Sequence, residues 1–429
     1  MSVQFGTDGI RGVAGTDITV ELAYRLGRAV ASVFGLTTVV GYDTRESSSS
    51  LAAAVLQGLA DGGVTPLNLG VITTPGVAVL ADHVDGVGVV ISASHNPFSD
   101  NGLKVFGRGG TKLDHDTEAA VQLALASAPT SSGPYGEFAV DQSARTVYLN
   151  RLRASRSVTS LEGLHIVLDC ANGAASPLAR ELFTSLGATV DVIHDTPDGR
   201  NINTKCGSTH PEDLQSAVVR LGADFGLAFD GDADRLVAVD ERGIRRDGDD
   251  LMVLFALDFH ARHELETLVI TSMSNLGLRQ ALQSAGIALL ETDVGDRNVL
   301  IALEEHNLPF GGEQSGHLIF RQELSTGDGM LSGLHVAELV KRAGPLGTLC
   351  GQLWQRAPQF LLNIPRESYD ERAVVGTIER VCTEQGVSSE DLRIVIRPSG
   401  TEPVVRVMVE STNGDLIATL EATLRSELL

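Results

Sequence analysis

Thr38-Val39-Val40-Gly41-Tyr42-Asp43 is a short β-branched apolar run closed by a carboxylate, followed by helix-period residues over 51–59, Gly62-Gly63, and a second apolar run over 64–69. The same order recurs twice. His165-Ile166-Val167-Leu168-Asp169 leads to a helix starting near Pro177, then Gly187 and a run over 189–193. Leu268-Val269-Ile270-Thr271 leads to a helix around 276–283, then Gly286 and a run over 287–290. Apolar runs alternating with period-3.6 stretches read as strand-helix-strand units. Each unit demands a right-handed crossover and a sheet covered on both faces, so the chain reads as α/β: three tandem α/β domains with mainly parallel mixed sheets. After Pro358 the pattern changes to a helix near 373–382, strands over 392–396 and 404–409, and a closing helix over 415–428, a smaller C-terminal α+β domain. The expected domains are 1–150, 151–250, 251–362 and 363–429, with 358–366 as a linker and the Ser-, Pro- and Gly-rich 127–136 as a surface loop.

The 429 residues are nearly three times the roughly 150 expected per domain, which fits several domains and excludes a single small module. With 43% hydrophobic and 21% charged residues, neither a fibre nor long disorder is expected. No stretch approaches the roughly 18 apolar residues of a spanning helix, and Met1-Ser2-Val3-Gln4-Phe5 has neither the basic region nor the apolar core of a signal peptide. Cysteines 170, 206, 350 and 382 form no close-spaced pair, so neither a disulfide framework nor a thiolate zinc site is suggested, and a reducing cytoplasm is the expected location. The net charge of -22 sets a field hostile to nucleic acid and anionic membrane, and neither is expected as a partner. An anionic substrate must therefore meet locally clustered arginines and lysines.

Leu227-Ala228-Phe229-Asp230-Gly231-Asp232-Ala233-Asp234-Arg235 is the most informative stretch for chemistry. Positions two apart point the same way in an extended or tightly turned segment, so Asp230, Asp232 and Asp234 can converge on a hard cation such as Mg²⁺. A calcium loop with Glu241 at its twelfth position is opposed by Arg235 where the tight turn requires Gly and by strand-like flanks. An acidic surface turn without metal is the bland alternative. A second segment, Val89-Val90-Ile91-Ser92-Ala93-Ser94-His95-Asn96-Pro97, runs from an apolar strand into a turn-rich loop, with Lys104 ten residues past Ser94. Loops at strand carboxyl ends bind ligands in α/β sheets, so Ser94 is a candidate phosphoryl carrier. The commoner fate of such a serine is a local turn bond.

Gly311-Gly312-Glu313-Gln314-Ser315-Gly316-His317 combines glycines that admit a ligand to the backbone with hydroxyl-recognising side chains, a composition suited to a sugar ring and equally to a plain glycine hairpin. Arg397-Pro398-Ser399-Gly400-Thr401-Glu402-Pro403 with Arg406 places backbone donors between two guanidiniums, a phosphate cradle unless the arginines merely pair with Glu402 and Glu410. A serine hydrolase is disfavoured because the Gly-x-Ser-x-Gly elbow is absent. No nucleotide phosphate loop, zinc-protease helix or dinucleotide fingerprint is present.

One per domain and in this order, these segments resemble the α-D-phosphohexomutase superfamily over essentially the whole chain. Phe5-Gly6-Thr7-Asp8-Gly9-Ile10-Arg11-Gly12, the Ser94 loop, Asn201-Ile202-Asn203 with Cys206-Gly207-Ser208-Thr209-His210-Pro211, and Arg397 to Pro403 look most like its phosphoglucosamine mutase branch. Phosphomannomutase/phosphoglucomutase relatives commonly carry Asn where Gly400 stands.

The resemblance implies four domains around a central cleft. Ser94 carries the phosphoryl group, and Asp230, Asp232 and Asp234 hold Mg²⁺ against it. Arg11, His95, Lys104 and His317 act near the reacting oxygen. Arg235, Thr292, Gly295, Arg297, Glu313 and Ser315 bind and orient the sugar, and Arg397, Ser399, Gly400, Thr401 and Arg406 hold the non-reacting phosphate. The implied activity interconverts glucosamine 6-phosphate and glucosamine 1-phosphate through glucosamine 1,6-bisphosphate, intermediate and activator, supplying UDP-N-acetylglucosamine synthesis. It also implies hinging of the last domain near residue 360 and a possible homodimer. The alternatives are the same chemistry on mannose or glucose phosphates, a non-catalytic phosphosugar-binding protein, and a metal phosphatase, the last disfavoured by the dedicated serine loop. Ala233 stands where many relatives have Gly. Asp293 and Asn298 also depart from the usual pattern of the 292–298 loop.

Overall fold

The computed structural model describes residues 9–131, 133–155, 160–351, 353–388, 392–398 and 404–428. The first domain runs β1 (Ile10–Val13), α1 (Val20–Phe34), β2 (Thr38–Tyr42), α2 (Ser48–Asp61), β3 (Pro66–Val71), α3 (Thr74–His83), β4 (Val87–Ile91), β5 (Asp100–Phe106) and α4 (His115–Ser127). Its sheet has the order β1-β5-β4-β2-β3, parallel among β3, β2 and β4 and antiparallel beyond. Helices on both faces bury β4 along its whole length, which is why it reads as a continuous apolar run instead of an alternating one.

The second domain follows α5 (Ala144–Ala154) with β6 (His165–Asp169), α6 (Ala179–Ser185), β7 (Thr189–Ile193), α7 (Glu212–Leu221), β8 (Phe225–Phe229), β9 (Leu236–Asp240) and β10 (Arg245–Arg246), in the order β10-β9-β8-β6-β7. The third contains α8 (Gly248–Ala261), β11 (Thr267–Thr271), α9 (Leu276–Ser284), β12 (Ala288–Thr292), α10 (Asp296–Glu305), β13 (Phe310–Gly312), β14 (Leu318–Phe320), α11 (Gly329–Ala343) and α12 (Leu346–Gly351), ordered β12-β11-β13-β14. In all three domains a parallel side joins an antiparallel edge. The strands of all three expected units are present, β6 and β7 at the expected bounds. The expected breaks at 150 and 250 fall inside α5 and α8.

The fourth domain corrects one expectation. Residues 358–366 are no linker: β15 (Gln359–Pro365) pairs with β17 (Val404–Glu410), which pairs with β16 (Arg393–Pro398), and α13 (Glu371–Gln385) and α14 (Gly414–Leu428) cover the sheet. Phe360, Leu362 and Ile364 are buried while Leu361 between them is 42% exposed, the alternation of a half-buried strand. Prolines beside and at the end of β15 suggest punctuation in the sequence. An edge strand tolerates them because its outer amides need no partner.

The apolar interior divides the molecule in two. One continuous cluster joins Val39 and Val90 of the first domain, Phe183 and Phe229 of the second, and Phe255 and Met330 of the third. The fourth domain keeps its own cluster around Leu362, Ile378, Val407, Leu420 and Leu424. Since each fully buried leucine contributes about 1.5–3 kcal/mol, a shared cluster welds three domains while a private one leaves the fourth to be held by polar contacts. Among the described residues no helix is long and apolar enough to cross a membrane.

The polar junction centres on buried Asn275. Its Oδ1 accepts from the Gly277 and Ala357 amides, both at 2.9 Å, and its Nδ2 donates to Ala357 O at 3.0 Å, Gln359 Oε1 at 2.8 Å and Glu410 Oε1 at 3.3 Å. One side chain thus caps α9 and grips the root of the fourth domain. Asn275→Ala is expected to cost about 2 kcal/mol by losing the cap and stranding buried polar groups, read as a lower urea midpoint with faster amide exchange in β15 and β17.

Candidate active site

β8 and β9 are antiparallel neighbours, and the loop between them turns back on itself through Ala233 at φ 56. Alanine adopts the left-handed conformation here at a cost of about 1–2 kcal/mol. The turn brings oxygens of Asp230, Asp232 and Asp234 within 4.8 Å of one another, all three residues buried. Asp232 Oδ2 accepts from Lys104 Nζ at 2.9 Å and Thr74 Oγ1 at 2.6 Å. Asp232 Oδ1 and Asp234 Oδ1 are buried with no hydrogen-bond partner among the described residues. Burial and the charges of Asp234 and Asp232 push the Asp230 carboxyl well above its ordinary value. Asp234 shifts the other way: burial alone would raise it, but the hydrogen bond and charge of His317 and the charges of Lys104 and Arg235 hold it low. Orphaned carboxylate oxygens and mutual repulsion in an all-oxygen set fit a hard divalent cation.

The serine loop presses directly on this cluster. Ser94 is fully buried at φ 51, and its Oγ donates to Asp230 Oδ2 at 2.5 Å. A Cβ on Gly231 would lie 2.5 Å from Ser94 O, so glycine is required for the two loops to touch. His95 Nδ1 stands 3.3 Å from Ser94 Oγ and 3.2 Å from Arg235 Nη1. Burial, with the charges of Arg235 and Arg11, pushes the His95 imidazole down to about 4, so the ring is neutral near pH 7 and Nδ1 accepts from Arg235. His317 is raised: burial opposes protonation, but Asp234 at 3.7 Å and Asp296 at 3.6 Å outweigh it. The Gly327 amide donates to His317 Nε2 at 3.2 Å, which places the ring proton of the neutral form on Nδ1, facing Asp234.

Across a cleft of about 740 Å³, lined by His95, Arg235, Val294, Glu313, Ser315 and Arg406 among others, all four domains face one another. Glu313 Oε1 accepts from the Gly295 amide at 2.9 Å, which fixes the carboxylate. Gly316 lets this loop lie on β9: a Cβ there would meet Leu236 O at 2.0 Å, and the Leu236 amide donates to Gly316 O at 3.1 Å. Arg397 and Arg406 are direct cross-strand partners on β16 and β17, and burial together with the charge of Arg406 pushes Arg397 below its ordinary value. Like charges placed opposite one another destabilise a sheet unless an anion lies between them.

The expected sugar-orienting loop divides. Gly295 braces Glu313, whereas Arg297 Nη1 donates to Glu118 Oε2 on α4 at 2.7 Å, and the Thr292 hydroxyl donates to the carbonyl of Asp293 at 3.0 Å. Ser399, Gly400 and Thr401, with Phe5 to Asp8 of the first motif, lie outside the described residues.

Sequence reasoning missed the supports of the site. Thr74 reaches Asp232 from α3, and Asn203 Nδ2 donates to Ser94 O at 2.9 Å and Asn96 O at 3.1 Å from the second domain. Asp43 and Arg45 lie beneath the serine loop, and a charged pair directly after a buried strand was the signal that could have marked them. Asp169, His194 and Cys206 also gather within 4.8 Å. Both Asp169 oxygens accept backbone amides, Ala171 and Gly207 at 2.9 Å each, so this group ties together the loops that carry Asn203.

Residues 2–130, 146–243 and 247–357 match phosphoglucomutase/phosphomannomutase α/β/α domains I, II and III, and residues 366–427 match its C-terminal domain. The chain is similar to the phosphoglucosamine mutase of Desulforamulus reducens, with 47% identity covering 96% of this chain and 95% of that protein. It is 44% identical to that of Thermobifida fusca over 97% of this chain and 95% of the other. Among solved structures, a phosphoglucomutase/phosphomannomutase family protein from Burkholderia thailandensis superposes with a TM-score of 0.79 at 27% identity, covering 99% of this chain and 96% of that one.

Titration with Mn²⁺ followed by paramagnetic relaxation is expected to show binding that Asp230→Asn and Asp234→Asn each weaken by at least about tenfold. Unchanged affinity in both variants would reduce the cluster to an acidic turn.

Proposed function

Because the chain belongs to the phosphoglucomutase/phosphomannomutase family, we propose that it interconverts glucosamine 6-phosphate and glucosamine 1-phosphate, with Ser94 carrying the phosphoryl group between turnovers. The observation that carries the reading is the 2.5 Å contact of Ser94 Oγ with Asp230, next in sequence to His95, which lines the cleft that Arg406 also lines. The full-length similarity to phosphoglucosamine mutases selects the amino sugar.

Phosphoryl transfer asks a protein chiefly for position and charge neutralisation. In the first half-reaction a sugar hydroxyl oxygen bonds to phosphorus as the bond from phosphorus to Ser94 Oγ breaks. The hydroxyl proton passes to a basic group of the site, and Oγ leaves as the serine oxygen. In the second half, Ser94 takes the other phosphate from glucosamine 1,6-bisphosphate, so no phosphate is gained or lost. Magnesium held by Asp230, Asp232, Asp234 and the phosphorylated Ser94 would supply charge neutralisation at the transferred group. Lys104 and His317 border the same carboxylates, and Arg11 and Arg235 bring positive charge to His95. These are the groups that steady the reacting oxygen and its proton. Glu313 and Ser315 meet sugar hydroxyls from the third domain.

Arg397 and Arg406, with Ser399, Gly400 and Thr401, take the phosphate that is not reacting. A dianion between two opposed guanidiniums removes their repulsion and forms charge-assisted hydrogen bonds. The same cradle accepts either phosphate, so one site serves both isomers. The intermediate must turn over between half-reactions, and the private core of the fourth domain lets that domain swing from its junction near Gln359 while the rest stays fixed.

Ser94→Ala is expected to abolish exchange and to remove a phosphate-sized mass increment from the purified protein; wild-type turnover in this variant would end the carrier role. Arg406→Ala is expected to raise KM about ten- to hundredfold, the loss of a charged hydrogen bond, with a smaller effect on kcat. Turnover compared on glucosamine 6-phosphate, mannose 6-phosphate and glucose 6-phosphate tests the substrate, and preference for either neutral sugar would displace the amino-sugar reading.

A further inference from the structure

Ser94 occupies a backbone conformation that a non-glycine residue keeps only when its surroundings impose it. What imposes it lies beneath the loop. Arg45, 3% exposed, sits just beyond the end of β2 and sends its guanidinium into the curve of residues 94–100. Nη2 donates to Ser94 O and Asn96 O, both at 2.9 Å, and Nη1 donates to Asp100 O at 3.1 Å and to Pro97 O. Nε donates to Asp43 Oδ2 at 2.8 Å. Asp43 also accepts from Ser92 Oγ at 2.6 Å, at the start of the same loop, and, within its own segment, from Ser48 Oγ at 2.7 Å and the Arg45 amide at 3.1 Å. Ser92 Oγ in turn accepts the Ser94 amide at 3.0 Å. Both the amide and the carbonyl of Ser94 therefore trace back to a single ion pair whose side chains are wholly buried.

A buried ion pair carries a desolvation penalty that apolar residues of similar size avoid, so stability alone is a poor reason for it. Its geometry is the better reason. A planar fork of fixed N–H directions can gather four carbonyl oxygens of one loop in a defined arrangement, which a lysine ammonium on a flexible stem cannot do. We propose that Arg45, oriented by Asp43, is the positioning residue of the phosphoryl carrier: it templates the turn that aims Ser94 Oγ at Asp230. This rests on the phosphoserine reading of Ser94. Arg45 acts through the loop and not on the sugar, so its removal acts on kcat and leaves substrate capture alone.

The test compares Arg45→Lys, Arg45→Ala and the milder Ser92→Ala, which removes one hydroxyl and leaves the ion pair in place. Misplacement by about 1 Å costs on the order of a hundredfold, so Arg45→Lys is expected to lower kcat about 100-fold with KM unchanged, and Ser92→Ala to lower it about tenfold. Millimolar guanidinium is expected to restore part of the turnover of Arg45→Ala, and methylammonium none. Amide exchange at Ser94 and Asn96, faster in Arg45→Lys, is read without any turnover. An inactive wild type would therefore fault the functional reading while the exchange comparison still decides the anchorage. Near-wild-type kcat in both Arg45→Lys and Ser92→Ala, or losses confined to KM, would overturn the proposal. If Arg45→Lys fails to fold, Ser92→Ala alone decides.

Discussion

Concentrated negative charge out of reach of water is the constraint around which this molecule is built. Asp230, Asp232 and Asp234 are buried side by side, and carboxylates so placed repel one another unless positive charge is supplied. The protein supplies part of it from three directions: Lys104 from β5, Arg235 from the cluster's own loop and His317 from the third domain. The rest is charge that a divalent cation among them can supply. The domains thus meet where they do because each contributes charge to one point, and their shared apolar cluster joins them in one interior.

Against that shared interior the fourth domain is a separate piece. Its core is its own, and its grip on the third domain runs through Asn275, Glu410 and Arg393, whose guanidinium reaches the carbonyls of Ser272 and Ser274. Hydrogen bonds of this kind contribute modestly and can be exchanged for water, whereas parting an apolar interface exposes area at about 25 cal/mol per Å². The division between the shared interior and the fourth domain is therefore a division between apolar and polar contact.

Local patterns were legible in the sequence; long-range partnerships were not. The strands show as β-branched runs because both their faces are covered, and the acid cluster shows because its spacing is a property of a single turn. β15 escaped notice because Pro358 and Pro365 resemble the ends of a linker, and only the sheet reveals that the strand lies at an edge. Arg297 belongs to a loop expected at the sugar, and the bond of its Nη1 to Glu118, far away in sequence, appears only in the fold. Arg45 and Asn203 meet Ser94 only after the chain has folded: the charged pair after β2 marks Arg45 as unusual, but its partners, backbone carbonyls of a loop about fifty residues on, are set by the fold alone.

The opposed arginines of the last domain carry a further consequence. Arg397 and Arg406 face each other across a two-stranded ladder, and the charge of Arg406 helps push Arg397 below its ordinary value, a tension between like charges. Any multiply charged oxyanion of the right size relieves that tension, whether or not a sugar is attached. If the pair is the phosphate cradle proposed above, sulfate and inorganic phosphate in the medium compete with substrate for it, and the composition of the buffer, as much as its ionic strength, sets how much substrate the protein needs.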